Sequence, residues 1–159
     1  MEYAKSISLI IEKVYGKKLG TRCAFVIEIR WRTLDDEDPG WKSCRCLYAY
    51  LTPNGKEILY IGKAWSATVR DRWYKKRVFW KDLEKQRGIK YTIPLIGEAY
   101  LFGEQRLTRE LLADIESLLI NIEKPWGNIQ CQKDRIRRPS MQVKCTSKWP
   151  KRRKIYEDK

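Results

Sequence analysis

The chain has 159 residues, 43% of them hydrophobic, which suits one globular domain and excludes both a wholly disordered chain and two full domains. It carries 34 Lys and Arg against 20 Asp and Glu, for a net charge of +14, and no histidine. The missing imidazole excludes histidine-based acid–base catalysis and removes a favoured zinc ligand.

The N-terminal stretch MEYAKSISLIIEKVYGKK interrupts its apolar residues with charges, so it reads as neither a signal peptide nor a membrane span. A soluble, cytoplasmic protein is expected. Ile7, Ile10, Ile11 and Val14 fall at helical spacing and predict a helix over 3–15, stopped by Gly16. Cys23, Phe25, Ile27, Ile29 and Trp31 share one face of a strand, with Glu28 and Arg30 on the other. The acidic TLDDEDPGW is a loop. Residues 45–51 and 57–61 flank Thr52-Pro53-Asn54-Gly55, which signals a hairpin. Ser66 is an eligible N-cap for a helix to about Arg77, and a second short helix lies near 79–86. A strand falls within 92–102, with Pro94 restricting its start or edge. Thr108 caps the strongest helix, in which Leu111, Leu112, Ile115, Leu118, Leu119 and Ile122 repeat with helical period until Pro125. Beyond Cys131 the periodicity is weak, and partial disorder is expected.

This order implies an α+β domain: a small central antiparallel sheet of three strands, with an extra N-terminal strand, flanked by helices. Residues 1–43 read as an extension, 44–130 as the central domain and 131–159 as a basic tail.

The positive charge is concentrated. Residues 66–90 sum to +6 and 131–159 to +8, whereas 1–65 sum to +3 and 91–130 to −3. One basic block is ordinarily a solvated face. Two blocks interleaved with Trp65, Trp73, Tyr74, Trp80 and Trp149 fit a polyanion with stackable bases, so nucleic acid is the leading partner. DNA and RNA are not separated by such residues. Five cysteines without a secretory signal favour reduced thiols, and Cys44-x-Cys46 with Cys131 and Cys145 lacks the spacing of a zinc site. Gly62-Lys63 is not a P-loop: Gly55 lies seven residues before Gly62, and Ala64 stands where a hydroxyl is needed.

Taken together, Cys46-Leu47-Tyr48, eleven further residues, Tyr60-Ile61-Gly62, Arg70, Glu116 and Pro125-Trp126-Gly127-Asn128 resemble a GIY-YIG endonuclease domain over roughly residues 44–130. The match departs at Cys46, where glycine is usual. The resemblance implies a Mg2+- or Mn2+-dependent phosphodiester hydrolase in which Glu116 holds the metal and Arg70 grips the scissile phosphate. It also implies Tyr48 as base assisted by Tyr60, with Asn128 completing the site and Gly62 admitting the phosphate. Magnesium on one carboxylate would stay mostly water-coordinated. Read without the resemblance, Glu116 is an ordinary helix-surface acid and the tyrosines are hairpin core, with Tyr50 the alternative to Tyr48. Lys63 is either a site residue or an edge-strand lysine that blocks pairing.

Arg72, Lys75, Lys76 and Arg77, with Lys151, Arg152 and Arg153 in the tail, are candidate nucleic-acid contacts. The tail is expected to add affinity without entering the site, so that removing it should spare cleavage. The function implied is a DNA endonuclease of restriction, homing, repair or anti-phage type. Alternatives are a non-catalytic nucleic-acid-binding protein on a nuclease scaffold and an RNA-directed nuclease. One such site cuts one strand, so a double-strand cut needs a dimer or two events.

Overall fold

The computed structural model describes residues 25–102, 105–128 and 141–157. The helix expected over 3–15, together with Cys23 and Cys131, lies outside them.

Strand β1 (Phe25–Thr33) alternates Ile27, Ile29 and Trp31, all fully buried, with the charged Glu28, Arg30 and Arg32. A 3-10 turn (Pro39–Lys42) follows, capped by the Asp38 carboxylate on the Gly40 amide. β2 (Cys46–Leu51) and β3 (Ile58–Ala64) form the expected hairpin, closed by Gly55 at φ +69°. Then come α1 (Val69–Tyr74), α2 (Arg77–Arg87), β4 (Ile93–Leu101) and α3 (Arg109–Glu123), and finally β5 (Met141–Ser147) and β6 (Ile155–Glu157).

The expected small three-stranded antiparallel sheet is not what forms. Six strands in the order β3-β2-β4-β1-β5-β6 make one mixed sheet, curled into a half-barrel, because β5 runs parallel to β1. Among the described residues three helices accompany it, so that part of the fold is dominated by sheet. The extra strands arise where partial disorder was expected. Met141, Val143 and Cys145 alternate with Gln142, Lys144 and Thr146, the pattern of a half-buried strand, inside a segment whose dominant feature is charge.

The sheet has two cores. On one face α3 lays Leu111, Leu112, Ile115, Leu118 and Leu119 against Leu47, Ala49, Ile61, Ile27, Ile29, Val143 and Cys145. Trp149 closes this core by stacking on Trp31 at 4.7 Å between ring centroids. Its indole N–H donates to Tyr156 Oη at 2.7 Å, and that hydroxyl donates to Glu123 at the end of α3. On the other face α1, α2 and the 3-10 turn cover only the β2-β3 end, burying Tyr48, Tyr50, Ile96 and Ala64 beneath Trp41, Trp73, Phe79 and Trp80. β2 is therefore buried along its whole length.

Thr68, not Ser66, caps α1, in a reciprocal capping box with Asp71. Pro94 sits inside the sheet, between β2 and β1, yet at the end of the β1 ladder, where its carbonyl accepts from the Leu34 amide. None of the described helices is long and apolar enough to cross a membrane.

Candidate active site

The hairpin register builds the first part of the site. Tyr48 and Tyr50 are two residues apart and share a face; Tyr50 pairs with Tyr60 and Tyr48 with Gly62. The three phenol rings cluster at 5.5–6.0 Å between centroids, with Tyr48 and Tyr60 stacked. Gly62 leaves the space that Tyr48 needs. A Cβ there would lie 2.5 Å from the Tyr48 hydroxyl oxygen and 2.8 Å from the Tyr60 ring. Its expected role, admitting a phosphate, gains a more immediate one: it lets Tyr48 lie across the backbone of β3.

Lys63, one residue on, faces the α3 side of the sheet. Its Nζ donates to Glu116 Oε2 at 2.5 Å, in a pair about one-third and one-seventh exposed, respectively. The helical phase makes this possible: Glu116 follows the buried Ile115 and stands one turn beyond Leu112, at the margin of the packed stripe. The carboxylate is close enough to disfavour ionisation of Tyr48. Glu116 and the phenols thus approach one another around β3 at Gly62, from opposite faces of the sheet.

Of the two arginines on α1, the partly buried one is Arg72. Its charge acts on Tyr48, favouring the phenolate, and its Nε is buried without a hydrogen-bond partner among the described residues. Arg70, chosen by its distance from Tyr60, is exposed; its guanidinium lies 5.4 Å from the Trp41 ring and donates to the Asp36 carbonyl at 3.1 Å. Helix phase explains the correction. Val69 is the buried residue of α1, and Arg72, three positions on, returns to its face, whereas Arg70 is turned about 100° away. A buried Val69 was the available signal.

Asn128 is also reassigned. It is 3% exposed, and its side-chain amide both accepts from the Ile61 N–H and donates to the Ile61 carbonyl, each at 2.8 Å. Gly127 N–H adds a bond to the Leu59 carbonyl at 2.8 Å. This short segment pairs the outer edge of β3 as a strand would, and Asn128 positions the site without facing it.

Lys76 places its ammonium 3.7 Å from the Tyr60 ring centroid, so it belongs to the site as well as to the basic surface. Lys75 and Arg77 are exposed at the α1–α2 junction. In the tail, Arg152 and Arg153 are exposed, while Lys151 reaches Glu123 at 3.7 Å.

Burial is the largest influence on Tyr48, and it pushes the phenol well above its ordinary pKa; Tyr60, Tyr50 and Glu116 push the same way. In this arrangement Tyr48 keeps its proton at neutral pH and can donate a hydrogen bond; the role of base implied by the resemblance needs cations to offset its burial. Cys46 and Cys145, whose thiols burial raises to about 12, are protonated and unsuited to ligation. Among the described residues no group of three or more His, Cys, Asp and Glu could hold a metal ion. Glu116 alone, with only Oε2 engaged by Lys63, fits a hard cation that retains most of its water.

Compared with protein-family models, with curated proteins and with solved structures, the chain finds no match. The likeness to GIY-YIG enzymes accordingly rests on the residues themselves.

Proposed function

We propose that this protein is a metal-dependent endonuclease that hydrolyses phosphodiester bonds in cytoplasmic nucleic acid, with DNA the first substrate to test. The observation that carries the reading is geometric: Tyr48 lies across Gly62 with Tyr60 stacked on it, and Lys63, the next residue of β3, holds the Glu116 carboxylate of α3. A phenol pushed up by burial beside a lysine–carboxylate pair is the kind of setting in which functional sites are found. The Tyr48-Tyr60-Gly62 motif, a following helical arginine and a later helical glutamate support the GIY-YIG assignment, with Arg72 taking the part first given to Arg70.

Arg72 would hold the non-bridging oxygens of the scissile phosphate, its buried Nε supplying a donor with no protein acceptor to lose. A divalent cation held by Glu116 would activate water and neutralise developing charge. Lys63, freed from Glu116 when a cation binds, lies one residue from Gly62 and can turn its ammonium toward the phosphate. Tyr48 donates a hydrogen bond at the same place; it becomes a base only when cation and Arg72 together outweigh its burial.

A second reading has one observation in its favour. The Lys63–Glu116 pair already neutralises the candidate metal ligand, as a non-catalytic binding protein would permit. Supercoiled plasmid, single-stranded DNA and RNA, each with magnesium or chelator, separate the two. Wild type should cut in magnesium only, and Glu116→Gln should lower the rate by about 10^3-fold or more with binding intact. Equal cutting by the variant would remove Glu116 from the chemistry. Binding without cutting of any substrate by the wild type would hand the site to the second reading.

A further inference from the structure

A pocket of about 640 Å³ opens beside α1 and α2, on the flank of the tyrosine cluster away from Gly62. Trp41, Trp73, Tyr74, Trp80 and Tyr91 supply five of its fifteen lining residues, in a chain that is 12% aromatic overall. Trp41, Trp73 and Trp80 are braced: Trp73 meets Trp41 edge-on at 5.4 Å and Trp80 at 4.2 Å, and the Trp80 indole donates to the Trp73 carbonyl. Tyr74 and Tyr91, by contrast, are 62% and 69% exposed. Rigid rings at the back and free rings at the mouth make a slot for a flat π-system.

The polar groups narrow the choice. Arg70, Lys81 and Lys90 stand around the opening against Asp36 and Glu84, so the rim carries a net positive charge. The Thr92 hydroxyl, in the pocket wall, is buried with no hydrogen-bond partner among the described residues. A ligand that stacks, offers hydrogen-bonding edges and carries negative charge next to its ring is a nucleotide. We infer that this pocket receives one unpaired base of a nucleic-acid strand, stacked between Tyr74 and Tyr91, with Arg70 and Lys90 on the adjoining phosphates. Arg70 thereby acquires the substrate contact that its position denies it at Tyr48. The inference rests on the nucleic-acid reading above and adds to it a site for an extruded or single-stranded base near the cleavage point.

The test is binding in chelator, read by fluorescence anisotropy, of a short thymidine oligonucleotide and of the same strand with abasic sugars. Wild type should prefer the base-bearing strand. The Tyr74→Ala/Tyr91→Ala variant, truncated at exposed positions and checked by an unchanged melting temperature, should lose about ten-fold affinity for that strand alone. Tyr74→Phe/Tyr91→Phe should restore it. Equal wild-type affinity for the two strands, or a variant that keeps the preference, overturns the pocket while leaving Glu116-dependent cleavage to stand or fall separately. Thymidine monophosphate binding as tightly as the oligonucleotide overturns the strand assignment in favour of a free-nucleotide site. Absence of binding to either strand overturns both readings.

Discussion

Among the described residues, the β3-β2-β4 end of the sheet is covered on both faces, by α3 below and by α1, α2 and the 3-10 turn above, whereas the β1-β5-β6 end is covered on the α3 side alone. Above β1 and β5 lie Glu28, Arg30, Lys144 and Thr146, tied by an Arg30–Glu28 pair, Arg30 stacked at 4.0 Å on Tyr100, and a Thr146–Glu28 hydrogen bond. Both ends use alternating strands. The second face differs between the two ends: buried tyrosines at one, and charged and polar side chains tied to one another at the other. The phenols whose pKa burial pushes up, Tyr48 and Tyr50, lie where both faces are closed. The open end supplies stability.

Ending the chain at residue 140 is the severest way to break this division. It removes Met141, Val143, Cys145, Trp149 and Tyr156 from the core, at roughly 1.5–3 kcal/mol each, and that total rivals the whole stability of a domain. No cooperative melting transition should remain by circular dichroism. This reverses the expectation of a dispensable affinity tail, and a folded, cutting truncation would restore it.

Within the closed end, Arg72→Ala should lower the cleavage rate by about 10^2–10^3-fold, the usual cost of one donor to developing charge. Arg70→Ala should leave the single-turnover rate on bound substrate within a few-fold. The reverse result would return Arg70 to the phosphate and make the helix phase of α1 irrelevant.

Gly62→Ala forces a methyl into the Tyr48 ring and should cost about 1–3 kcal/mol by denaturant melting. An unchanged midpoint would mean that the ring has room to move.

Titration sharpens the comparison further. Tyr48 and Tyr50 are held protonated by burial, so their folded pKa values lie above the ordinary 10 of a free phenol. Their contribution is fully present below the unfolded value and is lost as pH rises through it toward the folded one. Stability should therefore fall above pH 10. Tyr50→Phe, which also deletes a buried hydroxyl without a partner, should gain about 1 kcal/mol and soften that alkaline loss. A variant less stable than wild type at pH 7 would show that the hydroxyl has a partner after all. At the open end, Lys144→Gln should shift stability by no more than about 0.5 kcal/mol, and a larger loss would show that this partly desolvated ammonium contributes to the fold.

Much of the closed end, and β1 beyond it, is legible in the sequence because apolar period and turn chemistry agree there. The hairpin around Asn54-Gly55, the alternation of β1 and the Thr108-capped helix all emerge from spacing alone. Arg72 does not, because counting from Tyr60 measures distance along the chain, and direction depends on where Thr68 starts the helix. Asn128 is found by spacing, but nothing local reveals that its amide meets Ile61. β5 was hidden by lysines whose charge obscured a two-residue period, and its parallel pairing with β1 is a long-range outcome that no window shows.

Asn128 has a consequence for the order in which the chain assembles. The β2–β3 hairpin is local and can close early, but its outer N–H and C=O groups at Ile61 meet their partner only 67 residues later. Until α3 has been made and docked, that margin is bare and able to zip onto another nascent chain. Refolding yield of Asn128→Ala should accordingly drop with rising protein concentration, more steeply than wild type, and parallel curves would discount the effect. One amide thus serves as the stopper that keeps the sheet from growing between molecules.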